Sequence, residues 1–126
     1  MEEIRKKYNL SLILLHGSQV TGKLHSESDM DIAVVRKDVN SELDLLGLIF
    51  DLTKELNDKK IDIVDITNAN PLLFFAVMKN SRLLSGGVSD YDKMKLAAFH
   101  KYSDYEPYFR KEADFVKERI LSYVQN

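Results

Sequence analysis

The chain contains no cysteine. That absence removes disulfides, thiolate metal sites and cysteine nucleophiles together, and leaves carboxylate and histidine as the strong metal ligands. It fits a cytoplasmic address. An excess of charge is also missing: 18 Lys and Arg against 20 Asp and Glu give a formal net charge of -2. This argues against a duplex-coating basic protein and a polybasic membrane binder, and gives no strong nucleic-acid signal. Long apolar runs are lacking, since the stretches at 12–15 and 71–78 fall well short of the ~20 residues that cross a bilayer. The N-terminus is charged from Glu2 onward and has no apolar core of a secretory leader. No repeat or low-complexity tract is visible. What remains is 126 residues, 44% of them hydrophobic, enough for one domain that buries roughly two-thirds of its unfolded surface.

Along the chain, residues 2–8 read as a short charged helix and residues 10–15 as a buried aliphatic strand ending at His16-Gly17. After a polar stretch, residues 29–35 form a second strand, rich in β-branched residues but with an acidic start. Ser41 and Asp44 have capping-box spacing, and Leu43, Leu46, Ile49, Phe50, Leu52 and Leu56 recur with helical period after them. Residues 61–66 are a third strand with embedded carboxylates, and Asn70-Pro71 opens a helix running to about Lys79. A short fourth strand is expected at 82–84. From Asp90 to Val124 the pattern is helical, as one bent element or as two broken near Pro107 with Ser103 or Asp104 capping the second. The class is α/β or α+β.

The informative stretch is Gly17-Ser18, ten residues of spacer, then Asp29-Met30-Asp31. Side chains two apart on a strand share a face, so Asp29 and Asp31 point the same way while Met30, Ile32 and Val34 enter the core. Two carboxylates this close repel, and a divalent cation between them is the usual reason for both to stay ionised. All-oxygen ligation points to Mg²⁺ or Mn²⁺, and an ion held by few carboxylates keeps positions open for phosphate oxygens. Gly17 permits close backbone approach and Ser18 adds a hydroxyl and an N–H, which suits a triphosphate. In the third strand Asp62 shares a face with Val64 and Asp65 takes the other, so only one can join the pair. Asp62 would complete a second metal site or act as general base toward an acceptor hydroxyl.

Gly17-Ser18-x10-Asp29-x-Asp31, followed by Lys60-Ile61-Asp62-Ile63-Val64-Asp65, resembles the minimal nucleotidyltransferases (MNT) of the polymerase-beta superfamily. At average residue frequencies this combination arises by chance in roughly one chain in 1,000 of this length, which makes it specific. The resemblance implies a polymerase-beta-like fold, a small mixed sheet flanked by helices, in a single domain with its catalytic core at about 10–85 and a helical C-terminal region at about 90–124. It implies Asp29 and Asp31 as the metal-binding pair, Asp62 as the third carboxylate, and Gly17 and Ser18 as the triphosphate holders. The implied chemistry moves a nucleoside monophosphate, AMP from ATP being the expected case, to an acceptor hydroxyl with release of pyrophosphate. Many such proteins resemble antitoxins that adenylylate a tyrosine of a HEPN-type RNase toxin, so a toxin of that type is the implied partner. A domain this small has little surface left for an elaborate acceptor pocket, which supports an acceptor arriving on another protein.

Other readings compete with this one. Gly17-Ser-Gln-Val-Thr-Gly22-Lys23 nearly spells a P-loop, but Leu24 stands where a magnesium-binding Ser or Thr is required. His16 beside the turn suits packing or hydrogen bonding, and His25 a loop. His100-Lys101-Tyr102 has the H-x-Y spacing of HEPN RNases, yet Lys95 stands where their arginine would be. The aromatic load of the tail, Tyr91 to Tyr123, suits core packing or a docking surface, the latter with a homodimer or hetero-oligomer. A binding module that neutralises a toxin by contact, and a transferase acting on a small molecule such as an aminoglycoside, are the alternatives in function.

Overall fold

A computed structural model describes residues 1–17, 30–57 and 60–124, with side chains to 122. In chain order the elements are α1 (Glu2–Lys7), β1 (Leu10–His16), β2 (Met30–Arg36), α2 (Leu45–Glu55), β3 (Ile61–Asp65), α3 (Pro71–Lys79), β4 (Ser81–Gly86) and α4 (Val88–Val124). The sheet has the order β3-β2-β1-β4. Strand β1 is antiparallel to both its neighbours, while β2 and β3 run parallel. Such a mixed sheet follows from the connections: β2 reaches β3 through helix α2, the crossover that a parallel pair needs.

The two central strands are buried on both faces, so they read as continuous apolar runs rather than alternating ones. One face, with Leu12, Leu14, Ala33 and Val35, packs with Phe74, Val77 and Met78 of α3 and Ala98 of α4. The other, with Ile13, Leu15, Ile32 and Val34, packs with Leu48 and Leu52 of α2 and takes Ile4 and Tyr8 at its margin. Sequence periodicity sends only Met30, Ile32 and Val34 to a core. The structure gives the opposite face of β2 a core of its own beyond Asp31, because α3 and α4 cover it.

Helix α2 begins later than the Ser41–Asp44 spacing suggests. The Asp44 carboxylate accepts from the Gly47 N–H at 3.1 Å and is the cap, while Ser41 closes a turn onto the Asp38 carbonyl. The Arg36 guanidinium donates to the carbonyls of Val39 and Ser41, and holding them keeps this segment out of the helix. At α3 the Asn70 side chain accepts from the Leu73 N–H at 2.9 Å and Pro71 fills the first turn, where a missing N–H costs nothing. Strand β4 is longer than expected, since pairing with β1 extends it at both ends.

Helix α4 runs unbroken through Pro107 for 37 residues. Proline removes one helical N–H, leaving a carbonyl without its partner. Residues 103 and 107 are both exposed, so water can take that carbonyl. Aromatic packing bridges the position: Tyr102 stacks on Phe75 with ring centroids 4.1 Å apart and lies 6.4 Å from Phe109 on the far side of the proline. Not all of the aromatic tail is used this way. Tyr91 bonds to Ser81, whereas Phe99, Tyr105, Tyr108 and Phe115 are exposed.

Gly86 is where β4 turns toward α4, at φ +129, and a Cβ there would lie 2.6 Å from the Ser11 carbonyl oxygen and from Leu12 Cδ2. The backbone oxygen cannot retreat without breaking the sheet. Gly86→Ala is expected to cost about 2–4 kcal/mol, combining left-handed strain with overpacking. Thermal unfolding followed by circular dichroism should then show a midpoint roughly 10 °C lower.

Candidate active site

One end of the sheet is polar. On the α3/α4 face, Leu83, Leu14, Ala33 and Val64 form a row across the strands within the core. Two residues toward the sheet end, the same registers place Ser81, His16, Asp31 and Asp62 in the next row. The period of two that buries the first row therefore puts the second row on the same face, where the apolar cover ends. Asp31 and Asp62 are direct register partners on adjacent parallel strands, a spacing of about 4.8 Å between backbones. Asp31 is partly covered and Asp62 is exposed.

His16 is the neighbour of Asp31 on the other side and is half-buried. Burial pushes its imidazole pKa down, against the pull of the Asp31 and Asp62 charges, and burial prevails. The ring is therefore predominantly neutral near pH 7. Strand parity continued from Leu12 and Leu14 was the signal for its direction in the sequence.

Gly17 follows at φ +84, and a Cβ built on it would lie 2.8 Å from Asp31 Oδ2. The space a side chain would fill is taken by the carboxylate. The sequence assigns this glycine to close approach of a phosphate, and the structure shows that it also admits Asp31 itself. Ser18 and Asp29 lie outside the described residues, as do Lys23 and His25.

Asp65 is engaged elsewhere. Its carboxylate accepts from Arg36 Nε at 2.7 Å and from the Thr67 N–H at 3.0 Å. Burial alone would raise its pKa, but the Thr67 bonds and the Arg36 charge outweigh it and hold the carboxyl below the ordinary range. These contacts pin the end of β3 to β2. His100 sits exposed on α4.

Among the described residues no three histidines or carboxylates converge to hold a metal on their own. Asp31 and Asp62 supply two hard oxygen donors side by side on one face, with no thiolate anywhere in the chain. This donor chemistry fits Mg²⁺ or Mn²⁺ and not a soft metal.

Residues 1–87 match the model of the family described as Polymerase beta, Nucleotidyltransferase. The chain belongs to that family. All four strands of this nucleotidyltransferase lie within the matched segment, and α4 lies beyond it. The P-loop reading falls on residues mostly outside the description. It also conflicts with β1 being antiparallel to both neighbours, where a P-loop strand belongs to a parallel sheet. No curated protein matches the chain significantly in sequence.

Among solved structures, the nucleotidyltransferase is similar to a chain of a toxin–antitoxin crystallised with AMP-PNP, at 26% identity and a TM-score of 0.75, covering 91% of this chain and 94% of that one. It is also similar to a chain in the complex of tri-AMPylated Shewanella oneidensis HEPN toxin with MNT antitoxin, at 24% identity and a TM-score of 0.69, covering 91% of each. A chain of the toxin–antitoxin MntA-HepT matches at 24% identity and a TM-score of 0.69, with 91% and 92% covered. The fold is thus shared over nearly the whole length, α4 included in large part. No helix of the described residues is long and apolar enough to cross a membrane.

Proposed function

We propose that this chain transfers AMP from ATP to a hydroxyl of a partner protein and acts as the antitoxin to a HEPN-type RNase toxin. The observation that carries the reading is the in-register Asp31–Asp62 pair beside Gly17 at the polar end of a polymerase-beta sheet. The likeness to two toxin–antitoxin structures, one of an AMPylated HEPN toxin with MNT antitoxin and one with AMP-PNP, supports the acceptor class and the nucleotide.

Gly17 and Ser18 hold the triphosphate, with open backbone at the first and an N–H and hydroxyl at the second. Asp29, Asp31 and Asp62 would hold Mg²⁺ or Mn²⁺, which when bound neutralises triphosphate charge and polarises the α-phosphoryl group. The acceptor oxygen attacks the α-phosphorus in line. A new P–O bond forms, the bond to the bridging oxygen of the β-phosphate breaks, and pyrophosphate leaves. Asp62, on an edge strand of the sheet, would accept the hydroxyl proton. Neutral His16 lines the other side of Asp31 without adding positive charge that would compete for the carboxylate.

The test is transfer of label from α-phosphate-labelled ATP, CTP, GTP and UTP, with Mg²⁺, in a lysate of source cells, comparing wild type with an Asp29→Ala, Asp31→Ala double variant. One labelled protein band, seen with ATP and wild type only, is the expected result. Absence of label on protein, RNA and small molecules, with the variant indistinguishable, would overturn it. Label on a small molecule would select an aminoglycoside-type transferase. The exposed Phe115, Val116, Ile120 and Leu121 of α4 favour neutralisation by contact as the second reading. A toxin still neutralised by the double variant would select it.

A further inference from the structure

Strand β3 is an edge of the sheet, and the phase of its ladder is fixed at both ends. The Met30 N–H donates to the Lys60 carbonyl at 2.8 Å, and the Ile66 N–H donates to the Val34 carbonyl at 3.0 Å. In a parallel pair with that phase, residues 60, 62, 64 and 66 turn their backbone groups toward β2. Ile61, Ile63 and Asp65 therefore turn their N–H and C=O groups away from the sheet, and among the described residues none of these groups has a backbone partner.

The opposite edge is treated differently. At β4 the Glu2 carboxylate accepts from the Gly86 N–H at 3.3 Å, and Arg5 Nε donates to Ser85 Oγ at 3.0 Å, so α1 is clasped over it. Exposed edges are usually blunted by shortness, charged side chains, proline or a bulge. Strand β3 is Ile-Asp-Ile-Val-Asp with regular pairing, and one of its two aspartates is tied to Arg36 and Thr67. The other is Asp62.

We propose that the acceptor enters on this edge, as an extended segment that adds to β3 with its hydroxyl-bearing residue opposite Asp62. The proposal rests on the transfer reading above and specifies how the acceptor is held. Alternate outward amides and carbonyls are complemented by an extended backbone, and a helix, whose backbone groups are already paired, cannot supply that complement. Added antiparallel, such a segment hydrogen-bonds at Ile61, Ile63 and Asp65. The residue opposite Asp62 then falls at a non-hydrogen-bonded position, where facing Cβ atoms are about 4.5–5.5 Å apart. Its side chain shares the face of Asp62 and Asp31. Residues on either side of it face the side of Ile61 and Ile63, which favours β-branched or apolar neighbours. The segment recognised is apolar–hydroxyl–apolar, with Ser, Thr or Tyr at the centre.

The probe is the peptide Lys-Thr-Val-Tyr-Val-Thr-Lys, blocked at both ends, and a version with Phe for Tyr. Both are expected to protect the Ile61, Ile63 and Asp65 amides from hydrogen exchange, and the first to gain AMP when ATP and Mg²⁺ are present. Ile63→Pro removes an outward N–H that the inner ladder does not use, so the sheet is retained. It is expected to lower kcat/KM for the peptide at least tenfold through KM, with the Kd for ATP unchanged and Ile63→Val close to wild type. Should Ile63→Pro fail to fold, a peptide N-methylated at the nitrogens facing the edge must lose protection with wild-type protein. Protection without transfer would leave the edge standing and sink the transfer reading. Transfer without protection, or with Ile63→Pro as active as wild type, would overturn the edge proposal alone; neither protection nor transfer would overturn it as well.

Discussion

Replacing Asp29 and Asp31 together by alanine is expected to reduce nucleotide transfer by about 10³-fold or more, while the protein melts within a few degrees of wild type. The two halves of this expectation have separate causes. Transfer depends on neutralising charge that develops on the triphosphate as pyrophosphate leaves, and single groups placed for that purpose are commonly worth about 10²–10³ in rate. Stability, by contrast, gains little from Asp31, which sits beside Asp62 and, among the described residues, forms no salt bridge. Removing one of two neighbouring like charges relieves repulsion. Asp31→Asn separates charge from shape: it should retain the fold and lose most of the activity. A collapse of folded yield in either variant, read by circular dichroism beside the transfer assay, would show that these carboxylates serve the fold.

The second large effect is expected at Gly17. Alanine there meets Asp31 Oδ2 at 2.8 Å and must adopt φ +84, so the side chain and the backbone conflict at once. The carboxylate is the far end of a side chain and can yield, which limits the cost in stability to about 1–2 kcal/mol. It yields by swinging away from the position it shares with Asp62. A misplacement near 1 Å can cost about 10²-fold in rate, so Gly17→Ala should be a poor transferase that is nearly normal in folding. Titration with ATP separates the causes. Weakened ATP binding would place the damage at the triphosphate, whereas unchanged binding with a fallen kcat would place it at Asp31. An active Gly17→Ala protein would show that Asp31 is not required where the structure puts it.

Much of this fold is local enough to be read from sequence. Asn70-Pro71 announces α3 because a cap and a missing N–H are properties of neighbouring residues, and the β-branched runs announce β2 and β3 for the same reason. Strand order is not local. A period of two orients Asp31 and Asp62 within their own strands, but only the register of β2 on β3 makes their faces the same face. Helix α2 starts at Leu45 while the Arg36 guanidinium, at the end of β2, occupies the Val39 and Ser41 carbonyls, a contact that the Ser41–Asp44 spacing does not reveal. Pro107 is likewise uninformative alone: whether a proline breaks a helix depends on what Phe75 and its neighbours hold on either side. The role of Gly17 toward Asp31 was hidden because the contact joins the turn after β1 to a residue of β2. Ser18 and Asp29 lie outside the described residues, so their part in the site rests on the motif.

The unbroken α4 also shapes how the molecule moves as a whole. Thirty-seven residues of helix extend about 55 Å, while a domain built from the remaining residues has a radius of gyration near 12 Å. Such a body does not tumble as a sphere. Its amide vectors along α4 lie nearly parallel to the helix axis, and their transverse relaxation in solution reports end-over-end rotation, whereas any amide inclined to that axis samples the faster spin about it. A partner clamped along the helix would even out these rates, which makes ¹⁵N relaxation anisotropy a sensitive gauge of engagement without any label on the partner.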